Sequence, residues 1–488
     1  MKKYILIILC CLTSFPLWSY NVNMIVEHYS VDQGLPNNTV NCTLKDRDGF
    51  IWFGTWYGLC CFDGVKFKTF NKQEHDSDVP PRKIQRIVED KNGYIWVKTI
   101  DRKLYVFNKV TECFHAVYDD MKNYSENIQV IKLQNTAEGD VLLLTKDKNL
   151  LLAGVDEKGQ VTIKILFDSR DEINKHDYTL KHHVLCETEE YISWIGTDYK
   201  VSAVHKGAEL ASRPADFITS KINSGDKDSF TSFFEDGRKV WVGDRAGIFY
   251  SIDVRTGLVN RYVLSEIKGA ISNLLVTPAG YVYLSVAGQG TYEYDLAERR
   301  LQKINTEMND AMVTHAFIDQ YDKIWFHENE KALIYYDPLN HTAKRFPFTM
   351  FGKITTLYSE DAGERGLFFL SPAGEAWLFD REHAEMVYIN KLKQLSNDRA
   401  NQQFYHLMLD NDGVLWLSSA DEGVYCMNFP KKQFNLLSLS PQSAGQENYT
   451  IGVRALFQSK SGDIWVGTRW QSVYRMDRNG VTKHVFST

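Results

Sequence analysis

The sequence predicts an all-β protein made of tandem β-propellers, with about ten four-stranded blades. A motif with a central tryptophan recurs about every 45 residues, and each copy consists of short apolar runs separated by glycine-containing turns. Aromatic residues form 13% of the 488-residue chain, a share that suits extensive β structure. Repeats of roughly 40 to 50 residues with three or four strands and no helical periodicity are typical of propeller blades.

The first repeat shows how one unit is built. An alternating run at 40–44 leads into the turn DRDG (46–49), the run FIWFGT (50–55) follows, and Trp56-Tyr57-Gly58 forms a second turn. The run LCCF (59–62) then meets Asp63-Gly64, and Asp-Gly between apolar runs is a strong hairpin signal. We expect the anchor side chain of each unit to pack between neighbouring blades. The ten anchors are Trp52, Trp96, Leu143, Trp194, Trp241, Tyr283, Trp325, Phe368, Trp416 and Trp465.

Ten units exceed the 4–8 blades of one typical propeller. The sequence therefore predicts a seven-bladed ring over 25–345 and the first three blades of a second, incomplete ring over 346–488. Pro338 and the stretch HTAKRFPF (341–348) lie where that junction would fall. A larger single ring or a different split stays open. Because an unfinished ring exposes sheet edges, we expect the chain to be part of a longer gene product.

The first residues have the layout of a secretory signal peptide. Lys2 and Lys3 precede an apolar run at 5–12, and Ser19 offers a cleavage point. Leu9 occupies the position where a lipidated Cys10 would need a small residue, so simple secretion is favoured over a lipoprotein. The prediction from these residues is a signal peptide at 1–19 and a secreted mature chain.

Composition argues against several classes of function. A net charge of −6 gives no basic footprint for nucleic acid. No paired CxxC motif points to zinc. Cys42, Cys60 and Cys61 are close enough along the repeat for one local disulfide, although burial as core thiols explains them equally well.

The turn DRDG resembles a fragment of a calcium loop, which would need D-x-[DN]-x-[DN]-G and a distal glutamate. The equivalent turns read DKNG, DNDG and SKSG, and turn formation explains all four without metal. HExxH, GxSxG and P-loop patterns are absent. We therefore predict no metal site, no cofactor and no catalytic residue.

The second turn of the repeat carries the candidate binding site. Bulky aromatics are not needed in a tight turn, where glycine, asparagine or aspartate would serve better. Sugars stack on aromatic rings and form hydrogen bonds with flanking polar groups. Ordinary surface aromatics or inter-domain packing are the alternative. The predicted ligand-binding residues, from the first, fourth and tenth repeats, are Trp56, Tyr57, Tyr199, Arg469 and Trp470.

The segment QGLPNNTVNCTLKDRDGFIWFGTWYGLCCFDGVKF (33–67) resembles the regulator-propeller repeats of periplasmic sensor regions in Bacteroides-type hybrid two-component systems. The shared pieces are GLPxNxV, DxxGfiWfGT and GLxxfDGxxF. The resemblance is specific in the first repeat, good in the second and tenth, and loose between them.

The resemblance implies two seven-bladed propellers followed by a β-sandwich, an inner-membrane helix, a histidine kinase, a receiver and a DNA-binding module. It implies a sensor that detects oligosaccharides and switches on polysaccharide-utilisation genes, with a homodimer as a possible assembly. This chain contains no kinase sequence, so we expect a non-catalytic input region whose membrane anchor lies beyond residue 488. The alternatives are a free-standing, lectin-like propeller and a propeller lyase or hydrolase.

Overall fold

The computed structural model divides into two compact units, unit 1 (Met1–Phe429) and unit 2 (Pro430–Thr488). The predicted signal peptide at 1–19 lies outside the described residues. The structure describes all residues except 1–24, 71–80, 123–128, 147–148, 168–179, 188–189, 197–200, 208–216, 221–229, 305–312, 329–330, 352–357, 362–365, 372–374, 392–403, 429–451, 470–471, 478–481 and 488.

The described strands form ten antiparallel four-stranded sheets, which confirms the predicted all-β class. Sheets 1 to 4 each contain four consecutive strands. Sheet 1 is β2 (Val40–Lys45), β3 (Ile51–Thr55), β4 (Gly58–Phe62) and β5 (Phe67–Phe70). Sheet 2 is β6 (Ile84–Glu89), β7 (Ile95–Thr99), β8 (Leu104–Asn108) and β9 (Cys113–Ala116). Sheet 3 is β10 (Val130–Asn135), β11 (Val141–Thr145), β12 (Leu150–Val155) and β13 (Val161–Phe167). Sheet 4 is β14 (Leu180–Glu187), β15 (Tyr191–Gly196), β16 (Val201–His205) and β17 (Phe217–Ser220).

Sheets 5 to 8 repeat this order. Sheet 5 is β18 (Phe230–Glu235), β19 (Lys239–Asp244), β20 (Ile248–Asp253) and β21 (Val259–Val263). Sheet 6 is β22 (Ile271–Val276), β23 (Tyr281–Val286), β24 (Gly290–Asp295) and β25 (Arg300–Lys303). Sheet 7 is β26 (Val313–Ile318), β27 (Ile324–Glu328), β28 (Ala332–Asp337) and β29 (Thr342–Pro347). Sheet 8 is β30 (Tyr358–Asp361), β31 (Leu367–Leu370), β32 (Glu375–Asp380) and β33 (Glu385–Lys391).

Sheet 9 differs because its outer strand comes from the N-terminus. It contains β34 (Phe404–Leu409), β35 (Leu415–Ser419), β36 (Val424–Asn428) and β1 (Ile25–Tyr29). Unit 2 contains sheet 10, which is β37 (Val453–Gln458), β38 (Ile464–Thr468), β39 (Ser472–Met476) and β40 (Thr482–Ser487). One α-helix (Tyr118–Met121) and the 3-10 helices Val31–Gln33 and Phe348–Phe351 complete the described elements. No helix within the described part of the chain is long and apolar enough to cross a membrane.

Apolar clusters join each sheet of unit 1 to the next. Between sheets 1 and 2, the anchor Trp52 packs against Phe107, with ring centroids 5.5 Å apart. Between sheets 7 and 8, Trp325 packs against Phe369 at 5.3 Å. A further cluster joins sheet 9 to sheet 1 and contains Trp416. These anchors are therefore inter-sheet packing residues, as the sequence predicts.

Strand pairing and an apolar cluster both cross the predicted boundary at 345/346. Strand β1 pairs with β36 from Ile25↔Asn428 to Tyr29↔Val424, and β2 contacts both β34 and β35. Sheets 7 and 8, on either side of the predicted boundary, share an apolar cluster. The N-terminal strand thus completes the ninth sheet, where the sequence predicted that the first ring ends with the seventh. The pairing covers a strand edge that would otherwise be open.

The innermost strands of most sheets carry a β-bulge after their first residue. In sheets 1, 5 and 10 a glycine of the second strand lies opposite the residue that follows the bulge. In sheet 1 the register shifts between Val40 and Cys42, and Gly54 lies opposite Cys42. A Cβ on Gly54 would lie 2.5 Å from the Cys42 Sγ and 2.6 Å from the Ile84 Cγ2 of sheet 2. The glycine of the WFGT motif therefore allows two blades to approach closely.

The three cysteines for which the sequence allowed either a disulfide or a place in the core are core residues. Cys42, Cys60 and Cys61 are free and buried, and they belong to the clusters beside sheet 1. Burial raises the pKa of each thiol to about 12, so all three stay protonated at neutral pH.

Candidate functional site

The turn at 46–49 is fixed from inside by Asp46. Its Oδ1 accepts hydrogen bonds from the backbone N–H groups of Asp48 (3.0 Å) and Phe50 (2.9 Å). Its Oδ2 accepts the indole N–H of Trp52 at 2.8 Å. One carboxylate therefore closes the turn and also holds the anchor that packs between sheets.

The same arrangement recurs in four other sheets, and the sequence reasoning missed it. Each aspartate accepts the indole N–H of a tryptophan six residues later, or five in sheet 5. The pairs are Asp90–Trp96, Asp236–Trp241, Asp319–Trp325 and Asp410–Trp416. The regular spacing of these residue pairs is a signal that could have revealed the contact.

A lysine from the next sheet neutralises the acidic groups at this turn. The Lys109 Nζ lies 3.1 Å from Asp46, 2.7 Å from Asp48 and 2.8 Å from Glu89. Burial alone would lower the pKa of Lys109, but hydrogen bonds to the three carboxylates outweigh it and the pKa is raised. Oxygens of the three carboxylates approach within 4.8 Å of one another, a metal-like grouping. The lysine already supplies the positive charge that a metal would bring.

Equivalent ion pairs connect other neighbouring sheets. The Lys206 Nζ of sheet 4 lies 2.8 Å from Glu138 of sheet 3 and 2.5 Å from Glu187. In sheet 8, Arg381 lies 2.5 Å from Asp319 of sheet 7 and 2.7 Å from Asp361. We call the end of unit 1 that carries these turns the clasp face. The DRDG motif thus serves turn formation, as predicted, and also joins adjacent sheets.

The turn at the opposite end of β3 exposes two aromatic side chains. Trp56 and Tyr57 connect β3 to β4, with 41% and 58% of their surfaces exposed. The Thr55 hydroxyl donates to the Gly58 carbonyl at 2.8 Å and accepts the Tyr57 backbone N–H at 3.1 Å. Gly58 has φ +132°, which a glycine tolerates readily in so short a turn. The turn geometry therefore does not require either aromatic ring.

Trp56 also contacts the neighbouring sheet. Within sheet 1 its backbone N–H donates to the Thr39 carbonyl at 3.2 Å. Its own carbonyl accepts the N–H of Lys83, which precedes β6 of sheet 2, at 2.9 Å. The Lys83 Nζ lies 5.2 Å from the centre of the Trp56 ring, a cation–π contact. Ile100 joins the same group through a 2.9 Å hydrogen bond from its N–H to the Lys83 carbonyl. We call Trp56, Tyr57, Lys83 and Ile100 the Trp56 surface.

The Trp56 surface contains only two of the five predicted binding residues. Tyr199 and Trp470 lie outside the described residues. Arg469 is exposed in unit 2, where its N–H donates to the Gly452 carbonyl at 2.8 Å, at the same position in its turn as Trp56. Lys83 was missed because it precedes β6 and is not part of the repeat motif. The surface offers two aromatic rings, one ammonium group and an aliphatic side chain, a set suited to a polar ligand with an apolar face.

A family model confirms the resemblance found in the first repeat. The two component regulator propeller family model matches residues 34–57, a segment that includes the turn at 46–49, Trp56 and Tyr57. No curated protein matches the chain.

Solved structures with similar architecture include two extracellular domains from B. thetaiotaomicron. One belongs to BT3049, described as a hybrid two component system, with 15% identity, a TM-score of 0.32, and coverage of 95% of this chain and 67% of that domain. The other belongs to BT4673, described as a one component system, with 18% identity, a TM-score of 0.30, and coverage of 93% and 61%. This chain thus spans about two thirds of their length. Virginiamycin B lyase from Staphylococcus aureus matches with 10% identity, a TM-score of 0.30, and coverage of 63% and 96%.

Proposed function

We propose that this chain is the ligand-sensing input region of a hybrid two-component sensor, located in the periplasm and non-catalytic in itself. Its ligand is a glycan fragment, and binding regulates genes for polysaccharide utilisation. The observation that carries this proposal is the exposed aromatic pair Trp56 and Tyr57 within the segment that matches the regulator-propeller model.

The chemistry of the Trp56 surface supports a sugar ligand. Sugar rings present C–H faces that pack on aromatic rings, and their hydroxyl groups need polar partners nearby. Tyr57 is 58% exposed and offers both a ring and a hydroxyl group. Lys83 supplies three N–H donors beside Trp56. Arg469 would belong to the same function only if unit 2 takes part in binding.

Signalling in this proposal is a shift of a pre-existing equilibrium. A ligand that binds one arrangement of the chain, or of a homodimer, better than another shifts the population towards that arrangement. The rest of the sensor would then detect the change across the membrane. A free-standing lectin would use the same surface, and the DNA beyond codon 488 distinguishes the two, since a sensor gene continues in frame into a membrane helix and a kinase.

The test begins with a panel of oligosaccharides screened against the purified chain. The ligand that binds best is then titrated by calorimetry into the wild type and into Trp56→Ala and Tyr57→Ala. We expect each substitution to weaken binding at least tenfold. Unchanged affinity in both variants would contradict the proposal. Breakdown of the ligand during the titration would instead favour a lyase or hydrolase.

A further inference from the structure

A cavity of about 210 Å³ lies among the innermost strands of four sheets in unit 1. It is bounded by β2 of sheet 1, β6 of sheet 2, β10 of sheet 3 and β34 of sheet 9. Its wall includes Cys42, Thr43, Arg86, Ile87, Asn135 and His406. The cavity therefore adjoins the place where the ninth sheet meets the first.

The wall combines a positive charge with an unpaired polar nitrogen. Arg86 is exposed, and it forms no ion pair with any residue in the described ranges. The His406 Nδ1 is buried and has no hydrogen-bond partner within the described part of the chain. Buried polar atoms normally have a partner, so an unpaired one needs an explanation. No carboxylate lies among the cavity-lining residues that the structure describes.

Other polar groups of the wall are already paired, which leaves these two available. The Thr43 hydroxyl lies 2.6 Å from that of Ser418, and the Asn135 amide donates to the Glu89 carbonyl at 2.5 Å. The Cys42 thiol is buried and uncharged. A ligand in the cavity would therefore find its polar partners in Arg86 and His406.

The position that Arg86 and His406 occupy recurs in other inner strands of unit 1. Arg86 and His406 both occupy the position just after the bulge of their strand. The equivalent residues in the other described bulges of unit 1 that shift by one residue include a lysine and a second histidine but no acid. They are Cys42, Lys132, Ser232, Asn273 and His315.

We propose that this cavity binds the anionic group of a small ligand, a carboxylate or a sulfate. The Arg86 guanidinium would donate paired N–H bonds to the anion, a geometry that suits both groups. The His406 Nδ1, carrying the hydrogen, would donate a further bond from the opposite wall. The volume is below the roughly 300 Å³ at which pockets for drug-sized ligands begin, so it fits one charged group or a single acidic sugar.

This site is separate from the Trp56 surface, and neither proposal depends on the other. The anion would connect sheet 2 to sheet 9 across sheet 1. Since it binds the folded chain, it should also raise the thermal midpoint.

The experiment uses calorimetry on the full chain at low ionic strength. Sodium glucuronate and sodium sulfate are the anionic probes, and glucose is the neutral control. The variants are Arg86→Gln and His406→Gln. The matched control Lys132→Gln removes the same charge from the equivalent position of β10, outside the cavity wall. Arg86→Lys retains the charge and serves if Arg86→Gln does not fold, as judged by circular dichroism.

We expect at least one anion to bind the wild type and glucose not to bind. Arg86→Gln and His406→Gln, or Arg86→Lys in place of the former, should weaken the binding at least tenfold, and Lys132→Gln should change it less than twofold. Preference for glucuronate or for sulfate would identify the source of the anionic group. Absence of binding by both anions, or an equal loss in Lys132→Gln, would overturn the proposal.

Discussion

The two turns at the ends of strand β3 belong to the same repeat but have opposite environments. At the first turn, Asp46 is buried and forms three hydrogen bonds, and Lys109 joins it from the next sheet. At the second turn, Trp56 and Tyr57 project into solvent with about half of their surfaces exposed. The first turn is therefore bound to the fold, and the second is available to a ligand.

The comparison indicates that one short repeat motif contains a turn that stabilises the fold and a turn that is exposed to ligands. The acidic turn holds neighbouring sheets together by ion pairs and by the tryptophan that packs between them. The aromatic turn needs only its backbone for stability, because Thr55 closes it and the Trp56 carbonyl accepts a hydrogen bond from Lys83. Substitutions at the two turns should therefore have effects of different kinds.

The largest effect is expected from Asp46→Ala. The change leaves the buried indole N–H of Trp52 and two turn N–H groups without their acceptor, and it removes a partner of Lys109. We expect the free energy of unfolding to fall by about 3 kcal/mol, measured by urea denaturation. The control Asp48→Asn alters the same ion cluster at an exposed side chain and should have a much smaller effect.

The next prediction tests the pairing of the N-terminal strand β1 with β36 in sheet 9. Glu27 lies directly opposite Cys426 in the β1–β36 pair. The Cα–Cα distance between opposite residues of antiparallel strands is within the usual range for a disulfide. Glu27→Cys should therefore form a disulfide under oxidising conditions and stabilise the chain by about 2–4 kcal/mol. Thiol titration and calorimetry with and without reductant measure this.

Ile25→Cys is the matched control for this cross-link. Ile25 pairs with Asn428, so its side chain is diagonal to Cys426 and too distant for a disulfide. A thiol count in oxidised Glu27→Cys equal to that of its reduced form would contradict the pairing of the N-terminal strand with sheet 9.

The next prediction concerns His406 on the inner strand β34, which should make the free energy of unfolding depend on pH. Burial, followed by the nearby Arg86 charge, lowers the pKa of His406 to about 4 from the ordinary 6.5. The unfolded chain therefore binds more protons between pH 6.5 and 4, so stability is lost as the pH falls through this window. The loss is on the order of 3 kcal/mol. Urea midpoints at pH 7, 6, 5 and 4 should fall less steeply in His406→Gln than in the wild type; equal slopes would contradict the assignment.

A smaller effect is expected at the glycine between the two turns. In Gly54→Ala the new methyl group would meet the Cys42 Sγ at 2.5 Å and the Ile84 Cγ2 at 2.6 Å. Overpacking of this kind costs about 1–3 kcal/mol. Gly467 occupies the same motif position in sheet 10, where the nearest atom, the Ala455 Cβ, would be 3.4 Å away. Thermal unfolding should therefore show a smaller loss for Gly467→Ala, and a loss as large as that of Gly54→Ala would show that close packing is not the cause.

Much of the fold could be predicted because its signals are local. Asp-Gly turns, alternating runs and a regularly spaced anchor predict four-stranded units from each repeat separately. The pairing of β1 with β36 could not be predicted in this way, because residues 25–29 carry no repeat motif and their partner lies at the other end of unit 1. The pairing joins residues that are distant in the sequence.

The candidate site was predictable to a similar extent. The two aromatic residues Trp56 and Tyr57 are noticeable in the sequence because a tight turn needs no large side chain. The contribution of Lys83 depends on how sheet 2 packs beside sheet 1. The Lys109 contacts likewise join three carboxylates from two repeats. Only the folded chain brings these groups together.

The most direct test of the division between the two turns compares Tyr57→Ala with Phe50→Ala. Both remove an exposed aromatic ring from sheet 1, and Phe50, 43% exposed, lies at the acidic end of β3. The measurement is calorimetric titration of the best-binding oligosaccharide, with thermal unfolding of each variant in parallel. The account predicts that Tyr57→Ala weakens binding at least tenfold with its thermal midpoint unchanged, and that Phe50→Ala retains wild-type affinity. Equal affinities in the two variants would contradict it.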